Sequence, residues 1–344
     1  MSKPRIAVLI GGPSREHDVS RLSARNILSV IDAQRYDARP ILITESGEWR
    51  VYTSLLGLEA DTPQQVWSAE QVLAQLPYEV DAAFIAMHGE YGEDGTVQRL
   101  LDRATIPYQG SGARSSALAF DKAASYATLR RQGFAIPDYV VMSRSEWVAN
   151  RFKRVRQILT ALGDTVVVKP SRAGSSVGVY MVKTPAQLAD ALEQVSMEFD
   201  QFIIQKCIFG QEVTCAVLET ENGPIALPPT LIRPRSAQFF DYAAKYTPGA
   251  SEEITPAPLP PSHIAAIQRT ALATHRALKC RDYSRSDFIL TRSRLWLLEL
   301  NTLPGMTETS LLPQAARAYG YDFDQLVHHL IERARNRPEV IELQ

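Results

Sequence analysis

The chain has 344 residues, 45% hydrophobic and 22% charged, with 37 basic against 38 acidic side chains and a formal charge of −1. That composition excludes a disordered tail protein, and without a basic excess a nucleic-acid partner is not expected. Three scattered cysteines (Cys207, Cys215, Cys280) are too few for a disulfide framework or zinc site, and no apolar run approaches the roughly 20 residues that span a bilayer. Lys3 and Arg5 precede only the short run Ile6–Ile10, followed by Gly11-Gly12, so no signal peptide is read and a cytoplasmic protein of two or three domains is expected.

Arg5–Ile10 reads as a buried strand, Gly11–Ser14 as a turn, and a helix follows with Leu22, Ile27, Leu28 and Ile31 near helical spacing. Strands at Pro40–Thr44 and Ala82–Met87 alternate with helices, one opening at Ser68 with Gln71 as a capping box, which argues a parallel sheet covered by helices. The first turn lacks G-x-G-x-x-G spacing, so no dinucleotide site is indicated. Beyond Ile106–Gly112 come a helix Asp121–Gln132, strands near Tyr139–Met142, Thr165–Lys169 and Val179–Val182, and a helix opened by Thr184-Pro185 with Leu188, Leu192 and Val195 inward. A third stretch holds the hairpin Glu212–Leu218/Ile225–Leu227, a helix from Ser262 to Lys279, two strands and a terminal helix near Asp324–Ala334. Three domains are expected: 1–113, 114–207 and 208–344.

The segment Tyr283–Asn301 carries the most chemistry. Two apolar runs flank Thr291–Arg294; folding them about Ser293 sets Asp287 opposite Glu299 and Arg285 opposite Asn301 on one face. Two facing acids need a cation between them: Arg285 in a structural ion pair, or Mg²⁺ held by two acids and an amide oxygen. The loop Lys169–Gly178 joins two strands with small residues whose N–H groups suit an anion, though it is no Walker A loop. His88–Gly95 follows a strand, and His88 reads either as structural or as a ligand contact. Lys245–Gly249 lies in a long polar stretch, Arg233–Pro256, with little helical or strand pattern; Phe239, Phe240, Tyr242 and Tyr246 suggest a lid. After Asn301, Gly305 can offer an N–H to an oxyanion, and Ser310 and Leu311 open a helix suited to a carboxylate.

Eight segments occur together and in order: GGPSREHDVS (11–20), HGEYGEDG (88–95), IPYQGSG (106–112), DK (121–122), VVKPSRAGSSVGV (167–179), DYAAKYTPG (241–249), RSDF (285–288) and ELNTLPGMTETSL (299–311). In these the chain resembles the D-alanine–D-alanine ligases of the ATP-grasp superfamily. The resemblance implies three α/β domains with nucleotide between the central and C-terminal ones. It further implies that Lys122, Lys169 and Lys245 contact ATP phosphates, that Gln205, Lys206 and Ile208 lie at the adenine hinge, and that Glu212 holds the ribose. Asp287, Glu299 and Asn301 match ligands of two Mg²⁺ ions, with Mn²⁺ as a substitute. Glu16 would bind the first D-alanine's ammonium, with His88 nearby and Ser175 and Tyr246 linked to Glu16. Arg285 and the Gly305 N–H would stabilise an oxyanion, and Ser310 with Leu311 would take the second carboxylate.

The implied reaction makes D-alanyl-D-alanine for peptidoglycan through a D-alanyl phosphate, with no side-chain nucleophile required. A homodimer through the first domain is implied by the same resemblance. Gln205 stands where Glu is frequent, Ala243 replaces an acid and Phe240 a tyrosine in the lid, and Arg99 follows Gln98 where Gly is usual. Tyr246 favours the dipeptide over D-alanyl-D-lactate. A ligase of the same fold joining another amino-acid pair is the alternative, and a nucleotide-binding regulator without turnover is a third reading.

Overall fold

The computed structural model describes residues 2–175, 177–234 and 251–337. The opening apolar run forms β1 (Arg5–Gly11), buried from Ile6 onward, as a strand covered on both faces must be. It pairs in parallel with β2 (Asp37–Ile43) and β5 (Ala82–Ile85). The sheet is not purely parallel as expected. Two three-residue strands, β3 (Trp49–Val51) and β4 (Gln65–Trp67), add antiparallel edges in the order β4-β3-β2-β1-β5. Strands that short show no period in the sequence.

Helix His17–Val30 covers this sheet, but its inner face differs from the expected apolar stripe. Leu22 is 51% exposed, while Ser20 and Ser23 are buried beside Ala24 and Ile27. The reason is polar: Ser20 Oγ accepts the Gly11 N–H at 2.7 Å and donates to the Ala86 carbonyl at 2.8 Å, tying the helix start to the ends of β1 and β5.

The second sheet is antiparallel, ordered β6-β9-β7-β8, from β6 (Tyr139–Ser143), β7 (Val166–Pro170), β8 (Tyr180–Val182) and β9 (Gln201–Lys206). Helix Pro185–Glu198 starts at the expected signal, with Thr184 Oγ1 accepting the Gln187 N–H at 3.2 Å, and buries Leu188, Leu192 and Val195.

The third sheet is built on β10 (Gln211–Thr220), with β11 (Gly223–Ala226) beside it, β12 (Thr230–Pro234) and β13 (Ser251–Ile254) to one side and β14 (Tyr283–Leu290) and β15 (Leu295–Asn301) to the other. The pair β12 and β13 adds two short strands at the ends of Arg233–Pro256, a stretch read as having little helical or strand pattern, whose residues 235–250 lie outside the described residues. The two are antiparallel partners, with Arg233 opposite Glu252 and Pro234 opposite Ser251. Leu231 and Ile254 pack into the core beneath helix Pro261–Ala277, which holds the pair in place. β14 and β15 form the expected hairpin.

Packing crosses the chain divisions expected at 113 and 207. The last helices, Leu311–Tyr319 and Phe323–Arg335, bury Leu312, Leu326, Val327 and Leu330 in the core of the first sheet. Gln109 seals the seam by mimicking a strand. Its Oε1 accepts the Ile85 N–H at 2.8 Å, and its Nε2 donates to the Ile85 carbonyl at 2.9 Å and the Tyr283 hydroxyl at 3.0 Å. Among the described residues no helix is long and apolar enough to cross a membrane.

Candidate active site

A cavity of about 480 Å³ opens between the second and third sheets. Val167 and Met181 line one wall and Leu231, Ile289 and Leu298 the other, while Gln205–Ile208 closes the connecting edge. Its polar end holds Lys122, Lys169, Asp287, Glu299 and Asn301. Flat apolar walls beside a cluster of cations and acids suit a base at one end and phosphates at the other.

Asp287 stands opposite Glu299 and Arg285 opposite Asn301, as the folding argument required. The route differs. Leu290 pairs with Leu295, so the turn is centred between Arg292 and Ser293, and Phe288 pairs with Leu297. Leu298 is an extra residue, a β-bulge that makes up the offset. Both Leu298 and its neighbour Glu299 therefore line the cavity, one as wall and one as acid.

Arg285 grips Asp287 at two points, Nε to Oδ1 and a terminal nitrogen to Oδ2, each 2.8 Å. Thr214 donates to Asp287 Oδ1 at 2.7 Å, and Asn301 Nδ2 donates to Oδ2 at 3.1 Å. Burial alone would lower the Arg285 pKa, but the Asp287 and then the Glu299 carboxylates hold it above its ordinary value. Glu299 pairs with Lys122 at 3.3 Å. The cluster is thus balanced by two side-chain cations, and three oxygen-bearing side chains on adjacent strands offer a divalent ion hard donors once those contacts exchange. The donor set fits magnesium.

Lys169, buried at the end of β7, donates to the Tyr126 hydroxyl at 2.8 Å, and that hydroxyl donates to the Leu298 carbonyl. Lys122 donates to the Ala173 carbonyl of the glycine-rich loop at 2.7 Å. The preceding Asp121 caps their shared helix and accepts the Ser171 hydroxyl at 2.8 Å, so the pair Asp121-Lys122 anchors this loop. Gln205 is buried at the cavity edge close to the Tyr126 hydroxyl, with its amide facing the lining. Lys206, Ile208 and Glu212 follow along its rim.

Glu16 arrives from the first sheet at the start of helix His17–Val30 and accepts the Ser175 hydroxyl. Ser175 has a left-handed backbone, φ 49°. A Cβ on Gly89 or Gly174 would lie 2.6 or 2.4 Å from Glu16 Oε2, so both glycines permit the approach. The position of Gly305 is also tight, since a Cβ there would meet Ser310 Oγ at 2.8 Å. Ser310 is the residue before helix Leu311–Tyr319, and its Oγ accepts the Thr307 N–H at 3.1 Å. Lys245 and Tyr246 lie outside the described residues, as do Phe239, Phe240, Tyr242 and Ala243.

His88 is buried with both ring nitrogens engaged, Nε2 with Ser23 Oγ at 2.9 Å and Nδ1 with the Leu303 carbonyl at 3.1 Å. Burial lowers its pKa, which keeps the ring neutral. The sequence reading missed four residues around the site. Thr214 sits opposite Asp287 on β10, two residues after Glu212 and hence on its face. Tyr126 lies one helical turn after Lys122, an i, i+4 relation. Glu93 is inside the 88–95 motif and is buried, and Ser171 is the first small residue after Lys169-Pro170.

Residues 5–111 match the family model described as the D-ala D-ala ligase N-terminus, and residues 128–332 that described as the D-ala D-ala ligase C-terminus. The D-alanine–D-alanine ligase of Oleidesulfovibrio alaskensis is 42% identical over 332 residues, covering 95% of this chain and 96% of the relative. The crystal structure of VanG D-Ala:D-Ser ligase from Enterococcus faecalis superposes with a TM-score of 0.84 at 32% identity, over 96% of this chain and 99% of that one. The Bacillus anthracis D-alanine–D-alanine ligase complexed with ATP gives 0.76 at 30% identity, over 96% and 97%.

Proposed function

The chain belongs to the D-alanine–D-alanine ligase family, and from that premise we propose how its own residues join two D-alanines at the expense of ATP. The enzyme is an ADP-forming ligase that supplies D-alanyl-D-alanine for peptidoglycan. The observation that carries the assignment of roles is the convergence of Glu16–Ser175, Lys122–Glu299 and Arg285–Asp287 around one cavity.

A carboxylate is a poor acyl donor. Its oxygen first attacks the γ-phosphorus of ATP and ADP leaves, a step governed by positioning and charge neutralisation. Lys122 and Lys169 take the phosphates, with Lys245 in the same role, and Gln205, Lys206 and Ile208 read the base while Glu212 holds the ribose. Asp287, Glu299 and Asn301 hold Mg²⁺, or Mn²⁺ in its place, and the bound ion supplies charge neutralisation of the phosphates.

Glu16 holds the ammonium of the first D-alanine, oriented by Ser175 and Tyr246. The neutral amine of the second D-alanine then attacks the acyl carbon. A C–N bond forms, the tetrahedral centre breaks its C–O bond to phosphate, and the departing phosphate takes up the amine's proton. Negative charge grows on the acyl oxygen during this step, where Arg285 and the Gly305 N–H serve it. Ser310 and Leu311, at a helix start, receive the second carboxylate. A homodimer and a cytoplasmic location belong to the same proposal.

The test is ATP-dependent phosphate release across D- and L-amino acids, with product identification. D-alanine supports the fastest turnover and yields the dipeptide. Dominance of an L-amino acid, or of D-serine at the second position, overturns this substrate assignment.

A further inference from the structure

Two side chains of the loop after β5 hold a single residue of the loop after β15. His88 Nδ1 meets the Leu303 carbonyl at 3.1 Å, and the Leu303 N–H donates to Glu93 Oε1 at 3.4 Å. These contacts cross more than half the chain, with separations of 215 and 210 residues. Each clamp member is itself fixed. Ser23 Oγ bonds His88 Nε2 at 2.9 Å, and Glu93 Oε2 accepts the Gly89 N–H at 2.9 Å. With the ring neutral, Nδ1–H is the donor to the carbonyl and Nε2 accepts from Ser23, so each nitrogen has a partner of the right polarity.

The apolar side of the same loop is anchored too, because Leu303 and Met306 are buried in the core of the first sheet. Pro304 is buried between Leu303 and Gly305, and its ring fixes one of the few torsions that separate them. Holding both backbone polar groups of Leu303, one on each of its flanking peptide planes, therefore constrains the direction of the Gly305 N–H one plane further on.

We propose that His88 and Glu93 are positioning residues for acyl transfer: together they clamp the Leu303 backbone so that the Gly305 N–H is aimed at the oxyanion. The inference rests on the reading of Gly305 as an oxyanion donor. On this account His88 serves the reaction without touching substrate, and Glu93 acts as its partner from the same motif.

The test uses the full-length enzyme with Glu93→Gln, His88→Leu and His88→Asn, read by kcat, the KM for ATP, and inhibition by a phosphinate dipeptide analogue of the tetrahedral intermediate. The assays are run at about pH 9, where the Glu93 carboxylate accepts from both N–H groups, and Glu93→Gln replaces one of those oxygens by an amide nitrogen that opposes an N–H. His88→Leu removes the donor to Leu303, and His88→Asn restores a donor near the Nδ1 position. A misaimed oxyanion donor costs about 10–100-fold in kcat. Analogue affinity falls by the same factor in Glu93→Gln and His88→Leu, the ATP KM stays within about twofold, and His88→Asn recovers most of the loss.

Wild-type analogue affinity in either disruptive variant overturns the proposal, as does a loss shared equally by the ATP KM. If Glu93→Gln does not fold, the two His88 variants decide by the same readouts. Arg285→Ala is measured alongside. If it too leaves analogue affinity unchanged, the oxyanion reading itself has failed; if it alone weakens binding, only the clamp has.

Discussion

Arg285 and Asp287, two residues apart on β14, form a two-point ion pair with both contacts at 2.8 Å. A guanidinium fork in that geometry cannot be replaced by an ammonium without losing one contact. Arg285→Lys should therefore keep the charge and still lose about 100-fold in kcat, and Arg285→Ala more, since removing one oxyanion donor costs about 10²–10³. Phosphate release at saturating substrate checks this. A lysine variant within threefold of wild type would show that charge alone suffices.

The proposed magnesium site draws on the same cluster. ATP affinity measured by calorimetry should rise with magnesium in the wild type, and Asp287→Asn or Glu299→Gln should weaken that dependence by about 10–100-fold. Nucleotide affinity indifferent to magnesium in the wild type would contradict the assignment of these acids.

Glu16 receives the Ser175 hydroxyl across the gap between the first and second sheets. A hydrogen bond to a charged group contributes about 1.5–3 kcal/mol, so Ser175→Ala should raise the KM for the first D-alanine roughly tenfold or more, and leave the ATP KM near its original value. An ATP KM that rises in step would make the contact a general structural one.

Glu93 gives a pH signature. Burial first, and the Glu16 charge second, push its carboxyl up to about 8. An acid whose folded pKa exceeds its unfolded value binds more protons when folded, so its contribution is fully present below about pH 4.5 and is lost as pH rises through about 8. Denaturant unfolding of the substrate-free protein between pH 5 and 9 should show this decline, and Glu93→Gln should flatten it. An equal slope in the variant would place the titration elsewhere.

Gln109 satisfies both backbone groups of Ile85 at the edge of the first sheet. Gln109→Leu would leave that buried N–H and carbonyl without partners, at about 1–3 kcal/mol each, giving a total loss of about 2–6 kcal/mol. Urea unfolding measures it; a change below 1 kcal/mol would mean water reaches the site.

Local signals in the sequence were reliable where one element decides them. Thr184-Pro185 and Ser68/Gln71 mark real helix starts, and the period-two reading of Tyr283–Asn301 pairs the right residues. The bulge at Leu298 was not legible, because a turn about Ser293 and a turn half a residue earlier with one extra residue yield the same facing pair. β12 and β13 escaped notice because they are short and Pro234 ends one of them. His88 left two readings open, since its partners Ser23 and Leu303 come from distant segments. Long-range polar contacts leave no periodicity behind.

The helices Leu311–Tyr319 and Phe323–Arg335 complete the core that begins with β1. During synthesis on the ribosome the amino-terminal sheet therefore emerges long before its final covering, and one apolar flank must wait in water or in the keeping of a chaperone. Chains stalled or truncated before these helices would expose that flank, so the tail of the message governs whether the head of the protein stays out of aggregates.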